Sequence, residues 1–191
     1  MDRLSRRAFV DNALTLCAHQ AKRSEPVAML LFDLDHFKAI NDRFGHTVGD
    51  HVLRLFGQVV RAGTRADDII GRFGGEEFIA IVPGGLESAT KIAERVRSGF
   101  EAAGVTVGTH SVGATVSIGA AISYDAVTSI DALIASADAA LYRAKHDGRN
   151  RVHIAEQEMA NERARLIAAA RRARPAKSGA FTRLSRRNIT G

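Results

Sequence analysis

The stretch Gly71-Arg72-Phe73-Gly74-Gly75-Glu76-Glu77-Phe78 constrains the chain more than any other. It lies between two apolar runs, Ile69-Ile70 and Phe78-Ile79-Ala80-Ile81-Val82, and so predicts a β-hairpin with a glycine-rich turn. A Gly-Gly pair tolerates the positive φ angles of a tight two-residue turn. Two carboxylates stand on the turn's exit, and taken alone they make a solvated hairpin tip. A second acidic strand end changes that reading, because the apolar run Val27 to Phe32 predicts a buried strand that closes on Asp33-Leu34-Asp35. If the two strands are sheet neighbours, Asp33, Glu76 and Glu77 converge at one edge. Convergent carboxylates repel unless positive charge sits between them. Mg²⁺ suits such a place, since it takes hard oxygen ligands and is commonly held by one or two carboxylates plus substrate phosphates. The chemistry implied is phosphoryl or nucleotidyl transfer; the alternative is that the acids merely terminate strands.

At 191 residues the chain fits one domain of ordinary size with an appendage. No apolar run is long enough to span a bilayer and no signal sequence opens the chain, so a soluble cytoplasmic protein is expected. The single Cys17 shares a helical pattern with Phe9, Ala13 and Leu16, which excludes a disulfide framework and predicts a buried, inert thiol. The seven histidines lack the short ligand spacings of a zinc site. Of the net charge of +6, all is carried by the residues from Ala155 onward, with nine Lys/Arg against three Asp/Glu. Residues 1–154 are neutral, which argues against a nucleic-acid polymer as partner.

Helical periodicity is expected over residues 3–24, His36 to Phe44, about Val48 to Ala62, Leu86 to Phe100 and from Ile130 to before Gly148. Strand patterns cover Val27 to Phe32, Asp68 to Phe73, Phe78 to Val82, Val105 to Val107 and Ala114 to Ile122, with Arg151 to Ile154 a short edge strand. Gly119, inside a strand pattern, predicts a close backbone approach. The class is α/β or α+β with a mixed sheet, because the central hairpin must be antiparallel. Residues 155–174 place glutamates before arginines, the polarity that suits a helix dipole, and 175–191 read as a disordered tail. A solvated extension is the plain reading of this basic tail; docking or membrane-surface contact is the alternative.

Several ordered motifs together resemble the GGDEF-domain diguanylate cyclases. They are Phe32-Asp33-Leu34-Asp35-His36-Phe37-Lys38-Ala39-Ile40-Asn41-Asp42, Phe44-Gly45-His46, Gly49-Asp50, Arg72 to Phe78, Val116-Ser117-Ile118-Gly119, Ala139 to Lys145 and Gly148-Arg149-Asn150. The resemblance covers about residues 5–154 and marks 1–154 as the cyclase domain. It implies a fold similar to polymerase palms and nucleotide cyclases, with a mainly antiparallel five-stranded sheet wrapped by helices. The implied reaction condenses two GTP into cyclic di-GMP and two pyrophosphates across an antiparallel homodimer. It further implies that Asp33, Glu76 and the Leu34 carbonyl bind Mg²⁺, with Mn²⁺ an admissible substitute. Glu77 then binds a second metal or assists deprotonation of the ribose 3′-hydroxyl. Gly74 and Gly75 border the substrate. Asn41 and Asp50 match positions that read guanine, and a carboxylate can accept from guanine's N1–H and amine as adenine does not permit. His46 matches a nucleotide-pocket position. Phe37 and Lys38 match main-chain donors to the phosphates, and Lys145 and Arg149 match side chains that contact them.

Arg65-Ala66-Asp67-Asp68 fits the RxxD pattern that precedes the hairpin in product-inhibited relatives, so the resemblance implies an inhibitory cyclic di-GMP site at Arg65 and Asp68. Each of these residues has a plainer reading. Asp50 suits the first turn of a helix, Asn41 a helix-end cap, His46 a cap of the next helix, Lys145 the end of a helix, and Arg65 with Asp68 a loop ion pair. A catalytically silent receptor for cyclic di-GMP is the alternative function. The chain also departs from the family, opening Met1-Asp2-Arg3-Leu4-Ser5-Arg6-Arg7 where Asp-x-Leu-Thr and Asn-Arg-Arg are usual. It shows no sensor or receiver segment, so it reads as an excised output domain or as one that dimerises by other means, such as the 155–174 helix.

Overall fold

The computed structural model describes residues 6–124 and 129–155. The helix expected over 155–174 and the disorder expected over 175–191 fall on residues outside those described, apart from Ala155.

Among the described residues the elements follow in the order α1 (Arg6–Lys22), β1 (Val27–Leu34), α2 (Phe37–Phe44), α3 (His46–Ala62), β2 (Ile69–Arg72), β3 (Glu77–Pro83), α4 (Leu86–Ala103), β4 (Thr106–Val107), β5 (His110–Ser111), β6 (Val116–Ser123), α5 (Ile130–His146) and β7 (Val152–Ile154). Five strands form one sheet in the order β2-β3-β1-β6-β7. All its pairings are antiparallel except β6 with β7. β1 is central because it is the most continuously apolar strand, and a strand covered on both faces must be apolar at every position. Six of its eight residues, Val27 to Phe32, are buried without a break.

Alternation along β1 sorts the core into two layers. Ala28, Leu30, Phe32 and Leu34 face α3 and α4, where Val52, Phe56, Val60, Ile92, Val96 and Phe100 close the layer. Phe56 is the hub, with edge-on rings from Phe32, Phe78 and Phe100 at 5.8, 4.8 and 4.9 Å. Val27, Met29 and Leu31 face α1 and α5, meeting Phe9, Ala13, Leu133, Ala137 and Leu141. Cys17 packs at the margin of this second layer and is half-buried, and burial raises its thiol pKa.

The strand expected at Val105 to Val107 does not join the main sheet. It pairs with His110–Ser111 in a separate two-stranded ribbon, whose second strand is too short and polar to carry an apolar pattern. Gly119 is the predicted close approach: a Cβ there would overlap the Ala137 carbonyl and the Leu141 amide, and would stand 2.7 Å from Leu141 Cβ. Helix α5 therefore lies directly on β6, which fixes where the C-terminal end of α5 emerges. Gly119→Ala is expected to lower unfolding stability by about 1–3 kcal/mol in chemical denaturation, the usual range for an overpacked core. A variant as stable as the parent would show that α5 is free to shift outward.

Candidate active site

The acid-bearing ends of β1 and β3 meet at one edge of the sheet. β1 and β3 are neighbours, as expected, but the register places Glu77, not Glu76, directly opposite Asp33. Glu76 stands one residue before β3, in the turn, and its carbonyl accepts the Leu34 N–H at 3.4 Å. By alternation Asp33 falls on the α1/α5 face in line with Val27, Met29 and Leu31. There its Oδ2 is 2.7 Å from Lys145 Nζ of α5. Burial pushes the Asp33 carboxyl pKa up; the Lys145 ammonium pulls it down, and the neighbouring charges of Glu76 and Asp35 push it up again. Glu76 is half-buried and Glu77 exposed.

The turn itself differs from expectation. Neither Gly74 nor Gly75 adopts a positive φ, so no two-residue primed turn forms. The loop is wider: Phe73 and Gly74 both donate their N–H to the Glu77 carbonyl, at 2.8 and 3.2 Å. The Arg72 guanidinium donates from Nε to the carbonyls of Gly74 (3.2 Å) and Gly75 (3.1 Å), and from Nη2 to Gly75 again. A charged donor set satisfies the turn's carbonyls, which removes the need for left-handed backbone. Gly74 serves proximity instead, since a Cβ there would overlap Glu77 Oε2 and lie 3.4 Å from its Cδ. A Cβ at Gly75 would meet nothing within 4 Å.

Past β1 the chain turns through His36, whose φ of 54° is left-handed, straight into α2. Phe37 and Lys38 are its first two residues, so their N–H groups have no partner within the helix. At the other end of α2, Asn41 packs on α3: a Cβ on Gly49 would overlap Asn41 Oδ1 and stand 2.9 Å from its Cγ. Asp50, exposed, is the next residue. The fold thus draws Asn41 and Asp50 to one junction. Asn41 is not a side-chain cap, because the cap of α2 is Gly45, whose N–H goes to the Asn41 main-chain carbonyl. Nor is His46 a cap; it is the first residue of α3 behind Gly45, and it is exposed.

Lys145 lies in the last turn of α5, which fits the helix-end reading, but its ammonium engages Asp33. Arg149 follows on the turn after α5 and is exposed. Asp68 and Arg65 sit at the opposite end of β2 from the glycine turn, and the loop ion pair is not what joins them. Asp68 Oδ2 instead accepts the main-chain N–H of Arg65 at 2.7 Å, leaving the Arg65 side chain exposed. Asp68 is 4% exposed, and burial raises its carboxyl pKa against the lowering influence of Arg65 and Arg95. Arg95 of α4 was not legible as a neighbour of this acid; it reaches the loop by donating to the Gly63 carbonyl at 3.1 and 2.6 Å. Asp35 was visible only as part of an acidic run. It is 4% exposed and accepts from the hydroxyls of Thr115 (2.8 Å) and Ser117 (2.7 Å).

The donor set suits a hard dication. Asp33, Glu76 and the Leu34 carbonyl offer oxygen only, and Lys145 already supplies positive charge at the same carboxylate. Among the described residues no three acidic, His or Cys side chains cluster as a self-sufficient metal cage. Phosphate oxygens and water would complete the shell, the usual manner of Mg²⁺.

Residues 1–151 match the family described as diguanylate cyclase, GGDEF domain, and the chain belongs to that family. It is 40% identical over 131 residues to the response regulator PleD of Caulobacter vibrioides, covering 67% of this chain and 29% of PleD. It is 33% identical over 148 residues to diguanylate cyclase DgcS of Shewanella oneidensis, covering 77% of this chain and 49% of DgcS. The matched part is thus under half of either relative. Among solved structures, the active GGEEF domain of a diguanylate cyclase from Vibrio cholerae superposes with a TM-score of 0.75 at 29% identity, over 81% of this chain and 99% of that one. The GGDEF domain of DgcB from Caulobacter crescentus, in complex with c-di-GMP, gives 0.72 at 32% identity, over 82% and 95%. The fold is therefore the GGDEF nucleotide-cyclase-like fold, with the mostly antiparallel five-stranded sheet expected of it. No helix of the described residues is long and apolar enough to cross a membrane.

Burial holds protons on Asp33 and Asp68 at pH values where an unfolded chain has released them, so stability falls as pH rises from the ordinary Asp value of about 3.9 through the raised folded values. Asp68→Asn removes one of these charges, and its amide oxygen still accepts from Arg65 N–H. Urea unfolding at pH 7 is expected to give a stability equal to or above the parent's, with a flatter acid limb. A loss beyond about 1 kcal/mol would show that the buried charge is stabilising.

Proposed function

We propose that this domain, residues 1–154, is a diguanylate cyclase that condenses two GTP into cyclic di-GMP and two pyrophosphates. What supports this is that the acid-bearing ends of β1 and β3 lie at one sheet edge, with Asp33 opposite Glu77, Glu76 in the turn just before β3, and Lys145 reaching Asp33. Asp33, Glu76 and the Leu34 carbonyl would hold Mg²⁺ or Mn²⁺. When bound, the metal supplies Lewis-acid stabilisation of the reacting phosphate and lowers the pKa of an attacking hydroxyl.

The remaining roles belong to the chain. Main-chain N–H groups of Phe37 and Lys38, with the side chains of Lys145 and Arg149, bind and orient the triphosphate along the edge. Gly74 and Gly75 keep the turn bare beside it. Asn41 and Asp50 read guanine, with His46 at the pocket's rim. Asp50 accepts from N1–H and the exocyclic amine, so adenine would leave that carboxylate facing an acceptor. Glu77, exposed opposite Asp33, takes the 3′-hydroxyl proton or a second metal.

Each hydroxyl oxygen attacks the α-phosphorus of the GTP on the other copy. A phosphodiester bond forms, the bond to the β-phosphate oxygen breaks, and pyrophosphate leaves; two such steps close the ring. Because one copy presents one half of the reaction, catalysis requires an antiparallel homodimer. Product inhibition by cyclic di-GMP follows from Arg65 and Asp68. For the basic residues beyond 154 a solvated extension is the plain reading, and docking or contact with an anionic membrane surface is the alternative that their charge suits.

A second reading, a catalytically silent cyclic di-GMP receptor, draws support from the DgcB domain in complex with c-di-GMP and from the buried Asp68 flanked by Arg65 and Arg95. Incubation with GTP and Mg²⁺ separates the two: cyclic di-GMP is expected from GTP and no cyclic dinucleotide from ATP. Glu76→Ala is expected to lower turnover by about three orders of magnitude or more, by analogy with loss of a charge-stabilising group, with its circular dichroism unchanged. Product formation equal to the parent's in Glu76→Ala removes the metal assignment. Initial rate should rise faster than linearly with protein concentration where the monomer prevails; a linear rate there would exclude the two-copy mechanism.

A further inference from the structure

We propose that Asp35 and Asn150 are positioning residues that hold the two phosphate-side cations in register with Asp33, an inference that rests on the cyclase reading above. The Asp35 carboxylate binds the turn that follows α5, and Asn150, a residue of that turn, ties it to α4.

Asp35 closes the acidic strand end, and its carboxylate gathers donors from two separate parts of the chain. Ser117 Oγ donates to Oδ1 at 2.7 Å, while Thr115 Oγ1 and the Asn150 main-chain N–H donate to Oδ2 at 2.8 and 3.0 Å. The main-chain N–H of Asp35 returns a bond to the Thr115 carbonyl at 2.9 Å. A buried carboxylate is tolerable when its lone pairs are taken up in this way. The Asn150 side chain turns to α4, where Oδ1 accepts from Arg97 Nη1 at 2.9 Å and Nδ2 donates to Glu101 Oε1 at 2.7 Å. Arg97 is itself held by Glu94 and Glu101, each at 2.8 Å. The turn is therefore clamped on one side to the end of β1 and on the other to α4.

What the clamp holds is an unusual backbone. Gly148, Arg149 and Asn150 have φ of 113°, 62° and 46°, three consecutive residues in the left-handed half of the map, two of them carrying side chains. Such a run persists only where its surroundings over-determine it. Arg149 is its middle residue and donates its N–H to the Ala144 carbonyl at 3.0 Å, next to Lys145. Lys145 reaches Asp33, two residues from Asp35. Asp33, Lys145 and Arg149 are thus fastened to one frame through Asp35 and Asn150. The guanine-reading pair hangs on α2 and α3, outside that frame. Misplacing a cation weakens phosphate binding steeply, because a charge-assisted hydrogen bond needs both its distance and its direction.

The test compares two ligands on the full chain: a non-hydrolysable guanosine triphosphate with Mg²⁺, and guanosine, both by calorimetry. Asn150→Gly keeps the N–H to Asp35 and accepts the left-handed φ without strain, and it deletes both bonds to α4. It is expected to weaken triphosphate binding by about tenfold while guanosine binding stays within about twofold, the scale of losing one or two charge-assisted bonds. Asp35→Asn, with one acceptor oxygen exchanged for a donor, should show the same selective loss. A merely structural clamp would weaken both ligands together; that result, or no change for either ligand, overturns the proposal. Lys145→Met serves as the control. If the parent gains nothing from the triphosphate, or Lys145→Met keeps the whole gain, the cyclase-site reading fails and takes this inference with it. If the control loses the gain and Asn150→Gly keeps it, the positioning role alone falls.

Discussion

A carboxylate at the end of a strand covered on both faces must find positive charge or keep its proton. Asp33 is that carboxylate. β1 lies between β3 and β6 with helices above and below, so its end cannot be fully hydrated, and Lys145 reaches across from α5 to meet it. The rest of the site follows from that requirement. Helix α5 has to run close enough for a lysine to span the gap, and Gly119 permits it to lie on β6. The same closeness leaves the α5–β7 turn beside the strand end, within reach of Asp35. Carboxylates and an ammonium are thereby held together in partial burial at the strand end.

The glycine turn shows how a motif's purpose can differ from its obvious conformational use. Adjacent glycines suggest left-handed backbone, yet neither adopts it. Arg72 ties the turn's carbonyls, and the missing side chain at Gly74 admits the Glu77 carboxylate. The acids are thereby presented by a loop pinned through a guanidinium, so the turn's shape depends on charge as well as on sterics.

Three stations are spread over the molecule with little shared hardware. The acidic edge and its cations belong to β1, α5 and the turn after it; Asn41 and Asp50, the proposed guanine readers, belong to α2 and α3; Asp68, Arg65 and Arg95 belong to the far end of β2 and to α4. Helix α4 is the element common to two of them, since it carries Arg95 toward Asp68 and Arg97 toward Asn150. Two residues of one helix therefore touch the surroundings of both the proposed inhibitory site and the proposed phosphate site, which gives any communication between them a short covalent path.

Much of this was legible in the chain. The apolar run of β1, the helical periods of α3 to α5, the close approach at Gly119 and the acids at two strand ends are all local patterns, and local sterics and burial dictate them. The motif order also carried the family. What was not legible depended on groups far apart in sequence. Residue spacing cannot set a cross-strand register, so Glu77 rather than Glu76 faces Asp33 because seven consecutive pairings of β1 with β3 align that way. Nor can it reveal that Lys145 engages a carboxylate instead of only ending a helix, that Asp68 binds a main-chain N–H, or that Asp35 and Asn150, 115 positions apart, share a hydrogen bond. The sequence alone determined which side chains are chemically competent and which segments must be buried. Only the tertiary structure decided which of them meet, because a hydrogen bond or ion pair is settled by ångström-scale distances that the packing of helices onto a twisted sheet creates.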